Sequence, residues 1–260
     1  MERAYNFYCT DENYLNYLVR KYRSQNRVYR SHSSEDLKNV IMDSFNDDTG
    51  VIDGEYLENH YFPSIKSDVF ISYSHNDERL AQTLTKLLES VGLNVFLDSQ
   101  VWGSADALLK QIDNLYCQNE YNDDYNYTKR NYSTSLVHAL LSMALFKVID
   151  KSRVAIFINT ENSLPGMDLM EKHTTDDGTY KNDVTYSPWI YEELMMISTI
   201  IKNRQAIMAE SSMNFDRKDY LQMSFKVPTD CLRPINENRL DSLIKDHINY
   251  RKDMIDLLVQ

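Results

Sequence analysis

Ser187, Pro188, Trp189, Ile190, Tyr191, Glu192, Glu193 and Leu194 form the segment of this chain whose residue types and spacing could do chemistry. Serine is a preferred N-cap and proline is at home in the first helical position, so the run predicts a helix that starts at Pro188. On that helix Trp189 and Glu193 lie one turn apart, beside an apolar stripe of Ile190, Leu194, Ile197 and Ile201. An aromatic plate and a carboxylate would share one wall of a cleft, an arrangement able to stabilise positive charge that develops on a bound molecule. Taken alone, the same residues also describe a capped surface helix with a tryptophan core anchor, and that reading is the simpler of the two.

The elements needed to position such a helix begin at Ser67. Val69, Phe70, Ile71 and Tyr73 predict a short buried strand, and Ser74, His75, Asn76 and Asp77 are turn and cap residues that end it. Leu80, Ala81, Leu84, Leu87, Leu88 and Val91 then recur at helical spacing up to Gly92, a C-terminal stop. Leu93, Val95, Phe96 and Leu97 form the next strand, closed by Asp98. This is a βαβ unit, whose parallel strands put the loops after Tyr73 and Leu97 at one sheet edge, where open α/β folds take ligands. Val154 to Ile158 predicts a third strand.

Asp68 to Tyr73 (D-V-F-I-S-Y), Val95 to Asp98 (V-F-x-D) and the Ser187 to Leu194 segment (S-x-W-x-x-x-E-L) occur in that order, and through them residues 67 to 258 resemble a Toll/interleukin-1 receptor (TIR) domain. The resemblance implies an α/β, flavodoxin-like fold with a central parallel sheet flanked by helices. It implies that Glu193 is the catalytic carboxylate of a domain that cleaves NAD, as a glycohydrolase or an ADP-ribosyl cyclase. Ser72, Tyr73, Ser74, Arg79, Asp98, Ser187 and Trp189 are then the substrate-binding candidates. Ser99 to Ser104 occupies the place of the family's BB loop, which gates the cleft and contacts a neighbouring subunit. There Trp102, beside Gly103, would either be exposed as an assembly anchor or tuck back onto its own core. Asp77 reads as an N-cap and Arg79 as a phosphate contact or a surface ion-pair residue.

NAD enters this reading as substrate, with no further cofactor and no metal: neither a G-x-G-x-x-G nor a P-loop is present, and His, Cys and carboxylates lack zinc spacing. Three scattered cysteines suit a reducing compartment, and the net charge of -11 speaks against nucleic acid as partner. The N-terminus lacks a signal-peptide pattern, and Leu136 to Ile149 is short for a membrane span, so the expectation is a cytoplasmic protein free of membrane. The resemblance to prokaryotic TIR proteins of antiphage defence, of the Thoeris kind, further implies self-association through TIR contacts, an effector that responds to the product and a phage-derived activator. Two other functions fit the same layout: a non-catalytic TIR adaptor, and a nucleoside 2-deoxyribosyltransferase-like enzyme, which also carries an active-site glutamate.

Residues 1 to 66 predict a small helical N-terminal unit, regulatory in character, with amphipathic segments at Tyr14 to Tyr22 and Leu37 to Phe45. The resemblance gives residues 67 to 260 as a TIR domain. Within it the asparagine- and tyrosine-rich stretch near 116 to 135 predicts a long loop, Ala206 to Ala209 and Phe225 to Val227 predict weak strands, and Arg239 to Leu258 predicts a closing helix.

Overall fold

The computed structural model describes residues 1–22, 43–46, 51–63, 66–102, 105–119, 124–164, 184–205 and 225–260. They fall into two compact units, one drawn from Met1–Asn26, Ser67–Val95 and Ile149–Gln260, the other from Arg27–Lys66 and Phe96–Val148.

The first unit is built on an α/β, flavodoxin-like core, a central parallel sheet of five strands flanked by helices. In chain order the strands are β1 (Arg3–Phe7), β4 (Val69–Ser72), β5 (Val95–Phe96), β6 (Val154–Ile158) and β9 (Arg233–Ile235). The numbers β2, β3, β7 and β8 belong to two small antiparallel pairs, Phe45–Asn46 with Val51–Ile52 and Val184–Thr185 with Phe225–Lys226. Across the sheet the order is β5-β4-β6-β1-β9. Every residue of β4 and β6 is buried, as strands covered on both faces require.

This order corrects the expectation of a helical N-terminal unit over residues 1 to 66. Arg3–Phe7 is a strand inside the sheet, paired in parallel with β6 along its whole length and with β9 on its other side. It fills the fourth place of a flavodoxin-like 2-1-3-4-5 arrangement, a place reached here from the start of the chain. Its polar residues are accommodated by the chain's last helix: Arg3 Nη2 donates to the Val259 carbonyl at 2.8 Å and Tyr5 Oη to the Leu258 carbonyl at 2.5 Å. Helix α1 (Glu12–Lys21) follows, capped by the Asp11 carboxylate. The predicted segment Leu37 to Phe45 lies largely outside the described residues.

Helix α3 (Glu78–Ser90) buries Ala81, Leu84, Leu87 and Leu88 and ends where Gly92 takes a positive φ of 90°, a conformation open to glycine. The predicted closing helix is two helices, α8 (Glu237–Tyr250) and α9 (Met254–Val259). Arg251 in the left-handed region stops the first, and Asp253 caps the second through the Ile255 N–H at 3.0 Å.

The second unit contains α2 (Gly54–Tyr61), the short α4 (Asp98–Val101), α5 (Ala105–Ile112) and most of α6 (Tyr127–Lys151). Between α5 and α6 the long loop expected near 116 to 135 is mostly structured. A π-helical turn covers Asp113–Cys117, Gln118 bridges Tyr125, and α6 begins at Tyr127. Asn126 starts that helix by accepting from the Lys129 N–H at 3.0 Å, and buried Asp113 holds its first turns through Ser133 Oγ at 2.5 Å and Arg130 Nε at 3.0 Å. These capping and pairing groups replace an apolar period, which is why the segment reads as a loop. The helix so formed is longer than the apolar stretch Leu136 to Ile149. By length and composition α6 could cross a membrane, with a mean hydropathy of 1.4 over its most apolar window, of which 39% is buried inside the protein.

Candidate active site

The sheet order reverses direction between β4 and β6, because α3 carries the chain from β4 outward to β5 while β6 lies on the opposite side of β4. Ligands of open α/β sheets bind outside the carboxyl ends of the strands at such a point. Ser72, the last residue of β4, is wholly buried there, and its Oγ donates to Glu193 Oε2 at 2.6 Å.

Glu193 reaches this position because helix α7 (Pro188–Gln205) is moored at its start. Ser187 caps it through the Ile190 N–H at 3.3 Å, and the Ser187 N–H in turn donates to Thr185 Oγ1 at 3.1 Å. The Thr185 hydroxyl donates to the Ser163 carbonyl at 2.9 Å, and the Ser163 hydroxyl accepts from the Thr160 N–H at 2.9 Å. The turn after β6 and the start of α7 are thereby one hydrogen-bonded frame. Buried Ile190, Leu194 and Ile197 fix the rotation of α7, as the apolar stripe predicts. Trp189 and Glu193, one turn apart, are both half-buried, and so is Glu192.

Asp77 completes the frame in a role other than the expected N-cap. Its side chain makes no capping bond. It accepts instead from Thr160 Oγ1 and, at 2.7 Å, from Asn162 Nδ2, joining the loop after β4 to the loop after β6. Thr160, Asn162, Ser163 and Thr185 are framing residues that the sequence reading missed. Their signal was a run of short polar side chains directly after an apolar strand.

The other candidates separate into two groups. Tyr73 and Ser74 follow Ser72 and are half-buried, while Arg79 is exposed on α3 and lines a cleft of about 290 Å³ with Asn76, Asp77, Asn162 and Glu12. Asp98 and Trp102 belong to the second unit. The Asp98 carboxylate accepts from the Ser99 N–H at 2.7 Å, and its carbonyl accepts from the Trp102 N–H at 2.8 Å. Trp102 takes the tucked alternative: it is 6% exposed, stands edge-on to Phe62 and Phe96 with ring centres 5.2 and 4.9 Å away, and donates through Nε1 to the Pro63 carbonyl at 3.2 Å. A buried ring with its N–H satisfied is a core residue, so the exposed assembly anchor is corrected. Gly103 lies outside the described residues.

Competing chemistries find little support. Burial pushes the thiols of Cys9, Cys117 and Cys231 upward, that of Cys9 to about 11 with help from the neighbouring Glu237 and Glu12 charges, so none is poised as a thiolate. Among the described residues no group of three His, Cys, Asp or Glu side chains is placed to hold a metal ion. No family model matches the chain, and neither a curated protein nor a solved structure matches it.

Proposed function

We propose that this chain cleaves the nicotinamide–ribosyl bond of NAD, with Glu193 as the catalytic carboxylate. The observation that carries the reading is the Ser72–Glu193 hydrogen bond at the sheet's switch point. It holds a carboxylate beside the half-buried Trp189, where a ribose and a flat cationic ring can be accepted together.

The chemistry needs one carboxylate. As the C1′–N bond breaks, its electron pair passes to the pyridinium nitrogen, so nicotinamide leaves neutral and requires no general acid. The ribosyl centre becomes oxocarbenium-like, and the negative charge of Glu193 stabilises it. Water then adds to C1′ and gives up a proton, for which Glu193 is the acceptor, yielding ADP-ribose. A second nucleophile within the same molecule would yield a cyclic product instead. Glycosidases need two carboxylates because their leaving oxygen must be protonated.

The non-catalytic adaptor is the alternative; against it, an adaptor has no need of the tethered Glu193 beside Trp189. On the catalytic reading, cytoplasmic NAD is the substrate and a nucleotide product addresses an effector in antiphage defence, with self-association and a phage-derived activator as the switch. Incubation of the purified protein with NAD, followed by chromatography of the products, tests the proposal. Release of free nicotinamide is expected. Intact NAD at all protein concentrations, or a deoxyribosyl transfer between nucleobases without attack on NAD, would refute it.

A further inference from the structure

Helix α6 carries two apolar faces along its length from Tyr127 to Lys151. One of them, with Val137, Leu140, Ala144 and Val148, is buried within the protein. The other is laid out on Tyr132, Leu136, Ala139, Met143 and Phe146. Leu136 is half-buried and Ala139 is exposed, while Tyr132, Met143 and Phe146 are 74%, 54% and 48% exposed. A contiguous apolar stripe of this kind marks an interaction surface, and aromatic residues and methionine are the types that interfaces concentrate.

The spacing and the charges of the exposed face select its occupant. Lys129, Tyr132, Leu136, Ala139, Met143, Phe146 and Asp150 follow one another at alternating steps of three and four residues, the a and d positions of a heptad repeat. That spacing serves the pairing of one helix with another. Lys129 and Asp150, both exposed, stand at opposite ends of the stripe. Two copies laid antiparallel bring each Lys129 to the Asp150 end of the other, where the negative helix terminus attracts it as well. Parallel copies would set lysine against lysine and aspartate against aspartate. The small Ala139, near the middle, leaves room for the Met143 side chain of the other copy. Lipid fits less well, because a membrane span is apolar all round and the opposite face of α6 is spent on the protein's own core.

We infer that this face of α6 is a homodimer interface, in which the helices of two copies pair antiparallel. The inference rests on the self-association within the proposed function and gives that step a surface. From Lys129 to Asp150 the seam is about 30 Å long and about one helix diameter wide. It is small beside a standard interface of about 800 Å² per partner. The dimer is therefore weak and dependent on protein concentration, which suits a contact that is made only on activation.

Sedimentation velocity over a rising concentration series, without detergent or NAD, tests the interface, with flotation on phosphatidylcholine–phosphatidylglycerol vesicles beside it. Wild-type protein should pass from monomer to dimer and stay off the vesicles. Met143→Glu combined with Phe146→Glu should remain monomeric and melt with the wild type, since both side chains are exposed. Lys129→Glu or Asp150→Lys alone should raise the dimer's Kd roughly 5-fold or more, because two pairs are lost per dimer. The two charge changes together should restore it, and this exchange decides the matter where the glutamate variant is insoluble. A wild type that is monomeric up to its solubility limit overturns the inference. So does a dimer that either set of changes leaves untouched, or a stripe that takes the protein to vesicles in place of dimerisation. A dimer that obeys these changes while NAD stays intact would leave the interface standing and refute the cleavage chemistry alone.

Discussion

Ser72 and Glu193, 121 residues apart in the chain, meet at 2.6 Å through a single hydrogen bond between the end of a central strand and the second turn of a helix. The serine hydroxyl fixes one carboxylate oxygen in place before any ligand arrives. That is the preorganisation a cationic transition state can use.

Glu193→Gln keeps volume and hydrogen bonding but removes the charge. Nicotinamide release should fall by at least ~100-fold with the melting temperature little changed. Glu192→Gln, on the same helix without the bond to Ser72, should stay within a few-fold of wild type. Ser72→Ala, which frees the carboxylate from its tether, should lie between them. Rates for the three variants, measured on the same NAD preparation, decide whether charge or mere polarity at residue 193 matters.

Much of this arrangement is legible in the residues themselves. Val69 to Ser72 and Val154 to Ile158 announce buried strands through unbroken apolar runs, and Ser187-Pro188 announces the helix that carries Glu193. Arg3–Phe7 does not announce itself. Its arginine, tyrosine and asparagine are tolerated in the sheet because carbonyls of the last helix and the Tyr8 hydroxyl receive them, and its strand partner begins 151 positions later, at Val154. Trp102 is hidden for the same reason, since its burial is decided by Phe62, Pro63 and Phe96 rather than by its own polar neighbours. Sequence periodicity reports faces of single elements, and these cases turn on distant partners.

Trp102→Ala is expected to act on stability. Deleting a buried aromatic packed against Phe62 and Phe96 should cost about 3 kcal/mol, seen as a lower denaturation midpoint in urea. Had Trp102 been an exposed assembly anchor, the monomer would instead keep its midpoint while self-association, read by light scattering, declined.

Acid should probe the junction of α1 and α8. Asp241 is buried, which by itself raises its pKa, but hydrogen bonds from Lys245, Tyr22, Tyr14 and Lys21 outweigh burial and hold the carboxyl at about 2. Its unfolded value is near 3.9, so the unfolded chain takes up the proton first as pH falls. The stabilisation is therefore complete above about pH 4 and drains away between there and pH 2. It should amount to about 1–2 kcal/mol, given that both lysines are solvent-accessible. Asp241→Asn should be less stable than wild type at pH 6, and the difference should shrink through that acid window in chemical denaturation.

The N-terminal strand makes the sharpest prediction about architecture. A regulatory appendage could be removed with its target left folded, and its loss would raise basal activity. Residues 3 to 7 are instead an interior strand, bonded along one side to β6 and along the other to β9. Their removal would leave the central strand β6 and the edge strand β9 with unpaired N–H and C=O groups and would strip cover from Ile156 and Ile235. Deletion through residue 22 would also take away Tyr14, Lys21 and Tyr22, leaving Asp241 buried with Lys245 alone of its present hydrogen-bond donors. Deletion of residues 1 to 66, or of 1 to 22 alone, should therefore give insoluble or molten protein with no cooperative melting transition and no NAD cleavage. Supplying residues 1 to 22 in the same cell as a separate segment should restore part of the soluble fraction if the strand docks into its place. A soluble truncated chain with a sharp transition would show that the sheet closes without it.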